Sequence, residues 1–407
     1  MELESFSTMP YDKRVVAFYD YLRRRRAEGA AGPSSRPAAF EVFRYAEGVQ
    51  VLTDHATFSS DMTGAISADQ EQLAQAASGH LAGVDPPRHT LLRSMVSSVF
   101  TPRVIADMEP RITLLAEQLL DRAAAGAPDG RIDIVHDYAA PLTATVIAEL
   151  FGIPDADHEK FAGWADMLLG AKPPEEVVAD AAAQERIGEL LNQVLGYFLA
   201  LIDDRRRNPG DDLITGLTRA EIDDRPLSAE EIIGVVSMFL LAGYLPSSVL
   251  IGNVLMALDG HPAAFAALRE RPERLPAVVE EVLRWRPPLA RDVRVATRDV
   301  ELDGVLIPAG STVCVWLASV NRDERRWPDP ETFDIDRPHA SNLAWGRGIH
   351  HCLGSALARL EVTVALQTLL RRYPDLRVDR EREVRFHPSL GILGPARLPI
   401  LTSRATQ

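Results

Sequence analysis

Trp345-Gly346-Arg347-Gly348-Ile349-His350-His351-Cys352-Leu353-Gly354 decides how this chain is read. One cysteine closes a loop punctuated by glycines, and a helix-forming run, Ser355-Ala356-Leu357-Ala358-Arg359-Leu360-Glu361, follows at once. Gly346 and Gly348 permit tight or left-handed turns and let backbone lie close to a flat partner. Cys352 then stands at a helix N-terminus. There, unpaired N–H groups and the positive end of the helix dipole favour an anion such as a thiolate.

A thiolate on a rigid loop is the axial ligand that lets a haem iron activate oxygen. The stretch resembles the haem-binding signature of the cytochrome P450 family, aromatic-Gly-x-Gly-x-His-x-Cys-x-Gly. Trp345 stands where the family usually has Phe, and Asn342 where relatives often have His. The bulkier Trp345 brings an N–H donor, which is expected to tune the sulfur. The resemblance implies haem b with iron on Cys352, and His350 as a propionate contact, with His351 facing solvent. A zinc site built from His350, His351 and Cys352 lacks the separated ligand pairs that close a tetrahedron.

Other family motifs follow along nearly the whole chain. In Asp85-Pro86-Pro87-Arg88-His89-Thr90-Leu91-Leu92-Arg93 the prolines start a helix. His89 and Arg93, four apart, share one face of it. The resemblance makes both propionate ligands. It adds Arg294 as a third, at the start of a strand, and expects Phe100 to end the first helix with its ring in the core. Glu281 and Arg284, one helical turn apart, are expected to form a structural triad with Arg337. The segment 58–80 and the region 155–183, broken by Lys172-Pro173-Pro174, match the mobile loop and the lid over the substrate. Arg205 to Asp212 reads as a helix stop, basic residues followed by Pro-Gly.

The departure from the family lies in Leu241-Ala242-Gly243-Tyr244-Leu245-Pro246-Ser247-Ser248. The family's acid and alcohol, which relay protons, are replaced by Leu245 and Pro246. Proline removes the bond to the Ala242 carbonyl and kinks the helix. With Gly243 permissive, a groove for water or oxygen is expected at Ala242 and Gly243. Ser247 is the candidate hydroxyl for a substitute relay. The alternative is that Ser247 and Ser248 bond back to carbonyls one turn earlier. Tyr244, Leu245, Leu289, Ala290, Val293, Leu390 and Ile392 are the expected substrate pocket, an apolar wall suited to a hydrophobic or aromatic small molecule.

Composition sets the frame. The 407 residues are 46% hydrophobic and 25% charged, and no linker divides them, so one haem domain over 1–407 is expected. Periodicity over 104–124, 136–151, 184–206, 229–258 and 352–372 is helical. Strand-like runs are few: 40–43 with 49–52, 293–296, 300–302 and 312–316, with 304–310 as a turn. The expected class is mainly α with small β-sheets, and the resemblance implies a helix-rich prism around a buried haem.

A net charge of -14 argues against nucleic acid as a partner. Arg23 to Arg26, the dense basic block, reads as a solvated helix face. Two cysteines and an acidic N-terminus without an apolar stretch suggest a cytoplasmic protein with no membrane anchor. The functional expectation is a monomeric haem-thiolate monooxygenase in natural-product tailoring. Electrons would come from a ferredoxin and its reductase. Oxidative coupling or ring formation, a peroxide-driven enzyme and a non-catalytic haem protein are the alternatives.

Overall fold

Ser228 begins the central helix of the fold with a capping box, its hydroxyl accepting from the Glu231 N–H while the Glu231 carboxylate accepts from the Ser228 N–H. In the computed structural model, which describes residues 11–62, 81–97, 100–170, 181–222, 225–338 and 340–402, helices dominate. They include α1 (Tyr11–Glu28), α2 (Tyr45–Thr53), α3 (Arg88–Ser97), α4 (Glu109–Gly126), α5 (Ala140–Leu150), α6 (His158–Gly170), α7 (Ala181–Arg207), α8 (Ala229–Ala242), α9 (Leu245–Gly260), α10 (Leu275–Trp285) and α11 (Ser355–Arg372). The described parts of the expected lid are α6 and the start of α7; Lys172-Pro173-Pro174 and residues 63–80 lie outside the described residues.

The sequence expectation of one kinked helix is met by a break. Gly243 and Tyr244 form a turn between α8 and α9, and Pro246 sits in the first turn of α9. A Cβ on Gly243 would lie 2.7 Å from Ile147 Cδ1 and 2.8 Å from the Phe239 carbonyl, so α5 and the break meet only over glycine. By length and composition, Ala229–Gly260 resembles a membrane span, with mean hydropathy 1.9. However, 65% of its apolar window is buried inside the fold, the behaviour of a core helix. The helix α9 packs on α10 and α11, and α11 packs on α4.

The main sheet has five strands: β1 (Ala31–Pro33), β2 (Ala39–Val42), β3 (Phe58–Ser59), β4 (Asp292–Ala296) and, after the hairpin of β5 (Val300–Leu302) and β6 (Val305–Ile307), β7 (Thr312–Val315). Their order is β1-β2-β7-β4-β3; β7 runs parallel to β2 and antiparallel to β4. This register sets Arg294 opposite Val313.

Three local expectations need correction. Residues 49–52 are helix, not strand, because Gly48, Val51 and Leu52 fall on one helical face and bury together. The run 304–310 is not simply a turn: β6 occupies its middle. The turn is Asp303-Gly304, both at positive φ. Finally, Arg26 is buried, with its guanidinium on Glu324, Glu331 and Ser319, while Arg23 and Arg24 stay exposed. A fourth helical position along α1 faces the body of the fold, so one arginine of the run is drawn inward. Phe100 is partly buried and stacks on Phe239 at 5.1 Å, beyond the end of α3.

Candidate functional site

The Cys352 loop is closed by its own backbone. The Cys352 N–H donates to the Trp345 carbonyl at 2.8 Å, and the His351 N–H to the Gly348 carbonyl at 3.1 Å. Gly346 and Gly348 have φ of 68° and 74°. A Cβ on Gly348 would lie 2.7 Å from the Leu52 carbonyl, so the loop rests on α2 where only glycine fits. The helix α11 begins at Ser355, three residues beyond Cys352. Burial pushes the Cys352 thiol up, opposed by the Gly354 N–H, Arg93, Arg359 and the Ser355 N–H. A cation on the sulfur would reverse the burial cost and leave four groups favouring the thiolate.

Beside the loop lies a cradle of donors. The His89 and His350 rings stand 4.3 Å apart. Both ring nitrogens of His89 and Nε2 of His350 are buried without a hydrogen-bond partner. Burial, then His89 and Arg294, lower His350 to about 4. His89 is lowered by burial and then by Arg93. Unpartnered buried nitrogens beside two guanidiniums are a deficit that an anion would remove. Two carboxylates of a haem fit this donor set.

The cradle is not uniform. Arg93 Nη2 donates to the His351 carbonyl at 2.7 Å. Arg294 Nη1 is held by Asp292 at 2.6 Å and the Val293 carbonyl at 2.8 Å. His351 is exposed, as expected. Asp85, which the sequence reading quoted without a role, stands 3.9 Å from His350 Nε2 and accepts from Ser59 and Ser60. Substituting either imidazole tests the cradle. We expect His89→Ala or His350→Ala to weaken haem retention roughly 10- to 100-fold, the worth of one hydrogen bond to a charged group. Haem transfer to an apo-globin acceptor would measure it.

The helix break leaves Ala242 exposed. The Tyr244 carbonyl accepts from the Thr143 hydroxyl at 3.2 Å. Ser248 bonds back to the Leu245 carbonyl at 2.9 Å, the local bond that was the alternative for both serines. Ser247 does not follow it: it faces the carboxyl of Glu361, where it opposes the upward shift that burial gives that carboxyl. Nothing in the sequence marks Glu361, since its burial depends on α9 and α11 packing together.

The expected pocket wall is partly rearranged. Tyr244 and Leu245 are core residues, because the break turns them toward the packed side of α9. Ala290 is also enclosed, against Phe18 and Trp316, while its neighbour Leu289 is 41% exposed. Leu289 bridges to Ile392 across the two segments. Val293 and Leu390 are half-buried. Of the expected wall, Leu289, Val293, Leu390 and Ile392 remain outside the core, and Leu289 and Ile392 are brought together.

The structural triad forms. Arg284 holds Glu281 with two bonds of 2.7 Å, and Arg337 Nε adds a third at 3.1 Å. Trp345 packs under the Arg359 guanidinium at 4.8 Å, while its Nε1 is buried without a partner. Asn342 caps the loop locally through the Ala344 N–H at 3.0 Å. Both cysteines are free, and burial raises Cys314 to about 12.

Comparison with known proteins places these features in context. The sequence pattern of the family described as "Cytochrome P450" matches residues 45–400. The erythromycin C-12 hydroxylase of Saccharopolyspora erythraea is 43% identical over 388 residues, 95% of this chain and 94% of that protein. The cytochrome P450 monooxygenase PikC of Streptomyces venezuelae is 39% identical over 396 residues, 96% of this chain and 92% of that one. Among solved structures, a mutant of P450 EryK in complex with erythromycin B superposes with a TM-score of 0.86. It is 40% identical and covers 96% of this chain and 98% of the other.

Proposed function

The chain belongs to the cytochrome P450 family, and from that membership we propose that it oxidises a hydrophobic natural product, macrolide-like in size, in a tailoring step. It is a monooxygenase with the P450 fold and binds haem, a small-molecule substrate and a redox partner. The finer reading is a single haem domain over 1–407, a monomer in the cytoplasm that takes electrons from a ferredoxin and its reductase. Bound haem supplies reductive activation of dioxygen and delivery of one oxygen atom to the substrate.

The protein's own groups set the rest. Cys352 would supply the sulfur ligand, from a loop whose backbone bonds fix its direction. His89, His350, Arg93 and Arg294 would hold the two propionates. Leu289, Val293, Leu390 and Ile392 press the substrate against the open face and exclude water. Ala242 and Gly243, at the helix break, line the groove for water or oxygen.

The observation that carries this reading is the pair of unpartnered His89 and His350 nitrogens beside a loop whose Cys352 faces the Gly354 and Ser355 N–H groups at the start of α11. Titrating the haem-loaded protein with macrolides tests the substrate class. The expected result is a saturable shift of the haem absorption band and, with ferredoxin, reductase and dioxygen, a product heavier by one oxygen atom. A product lacking that atom would point to coupling or ring formation. Turnover with peroxide alone would point to a peroxide-driven enzyme. A response only to ligands of another chemical class would overturn the macrolide assignment.

A further inference from the structure

A buried amide ties together the two segments that carry the apolar wall. Asn253 stands on α9, fully buried. Its Nδ2 donates twice, to the Leu393 carbonyl at 2.7 Å and to the Arg286 carbonyl at 3.2 Å. Ile392 directly precedes Leu393, and Leu289 lies three residues after Arg286. One side chain therefore holds each segment close to its wall residue. The amide fits in one orientation. Turned over, Oδ1 would face two acceptors, so the NH2 must point at the carbonyls. Oδ1 itself is buried without a hydrogen-bond partner, a cost that an apolar side chain would not carry.

The surroundings are cut to the same seat. A Cβ on Gly394 would collide with Val249 and lie 2.7 Å from Asn253 Oδ1, and a Cβ on Gly252 would lie 2.5 Å from Pro395. The chain leaving the wall thus lies directly on α9 across two glycines. Backbone bonds join the two segments to each other. The Ala290 N–H donates to the Gly391 carbonyl at 2.9 Å, and the Leu393 N–H to the Pro288 carbonyl at 2.8 Å. Leu289 bridges to Ile392. None of these bonds fixes the joined pair to α9, whereas both bonds of Asn253 do.

We infer that Asn253 is the positioning residue of the wall. Its two hydrogen bonds set where Leu289 and Ile392 stand relative to α9, and with that the size and shape of hydrophobic substrate the wall accepts. The inference rests on the reading of Leu289, Val293, Leu390 and Ile392 as the substrate wall. Asn253 is enclosed and acts through the backbone of both segments, not by touching substrate.

The test uses the haem-loaded full chain with Asn253→Leu, which nearly keeps the volume and removes both donors. The probes are imidazole and an imidazole carrying a triphenylmethyl group. Both bind haem iron through nitrogen, and only the second has a body that reaches a wall. Read from the haem absorption band, affinity for the bulky azole should fall roughly tenfold, about the worth of one hydrogen bond, with imidazole unchanged. Amide hydrogen exchange should quicken in 286–293 and 388–395 and stay as in the wild type in α10 and α11. If Asn253→Leu does not fold, Asn253→Ser, which keeps one donor at shorter reach, decides by the same measurements. Unchanged exchange in both segments overturns the inference. So does an equal loss for both azoles, which would put the effect at the haem. Faster exchange confined to the two segments, with neither affinity altered, would uphold the tie and overturn the reading of these residues as the wall.

Discussion

A Cys352→Ser protein is expected to fold normally and to lose oxygen insertion by roughly three orders of magnitude or more. The two halves of that expectation rest on different atoms. Folding depends on the backbone of the loop: the Cys352 N–H on Trp345, the His351 N–H on Gly348 and the positive φ of both glycines. None of these uses sulfur, and serine is close to cysteine in size, so the change in stability should stay within about 1 kcal/mol. The chemistry depends on sulfur alone. A thiolate donates electron density to the metal, whereas serine is a far weaker acid and ligates without that push. Circular dichroism should be unchanged. The reduced carbon monoxide adduct should lose its thiolate-type absorption. If that absorption survived, Cys352 would not be the ligand, and the sequence signature would have been misread.

What the sequence made legible was chemistry held in local order. The Cys352 loop, the His89 helix and the Glu281–Arg284 turn each lie within a short window, where spacing puts the side chains on one face and the family resemblance supplies their roles. What stayed hidden depended on distant segments meeting. Glu361 sits in a run whose alternation of Ala, Arg and Leu reads as an ordinary helix face; only the packing of α11 on α9 makes it a buried acid. Arg26 looked like one of four solvated arginines until Glu324 and Glu331 were brought to it from the far end of the chain. Residues 49–52 alternate too briefly for period 2 and period 3.6 to be told apart. Ala290 and Leu289 are neighbours with opposite fates, and which one faces the pocket depends on the bridge to Ile392. The proline at 246 announced a break, but not which way Ser247 would turn after it.

Glu281→Gln is expected to destabilise the protein by about 3–5 kcal/mol and to loosen its hold on haem. Glu281 is buried, and two guanidiniums converge on it. Removing the negative charge leaves Arg284 and Arg337 buried with no counterion, and the lost attraction is not compensated by solvent. An exposed pair such as Arg23 and Asp20 should show little change when broken, because water screens it. The effect on haem follows from a chain of bonds. Arg284 Nη1 donates to the Asn321 carbonyl at 3.1 Å. The Asn321 side-chain oxygen accepts from the Leu343 N–H at 2.7 Å, and the Leu343 carbonyl accepts from the Gly346 N–H at 3.0 Å. Gly346 is the first glycine of the Cys352 loop. The Asp334 N–H on Glu281 anchors the segment leading toward that loop from the other side. A glutamine keeps one carbonyl acceptor but presents an NH2 donor to a guanidinium, so both routes slacken together. Urea unfolding and haem-transfer rates, measured on the same preparation, check this. A large drop in the unfolding midpoint with unchanged haem transfer would break the link through Asn321 and leave the triad a purely structural anchor.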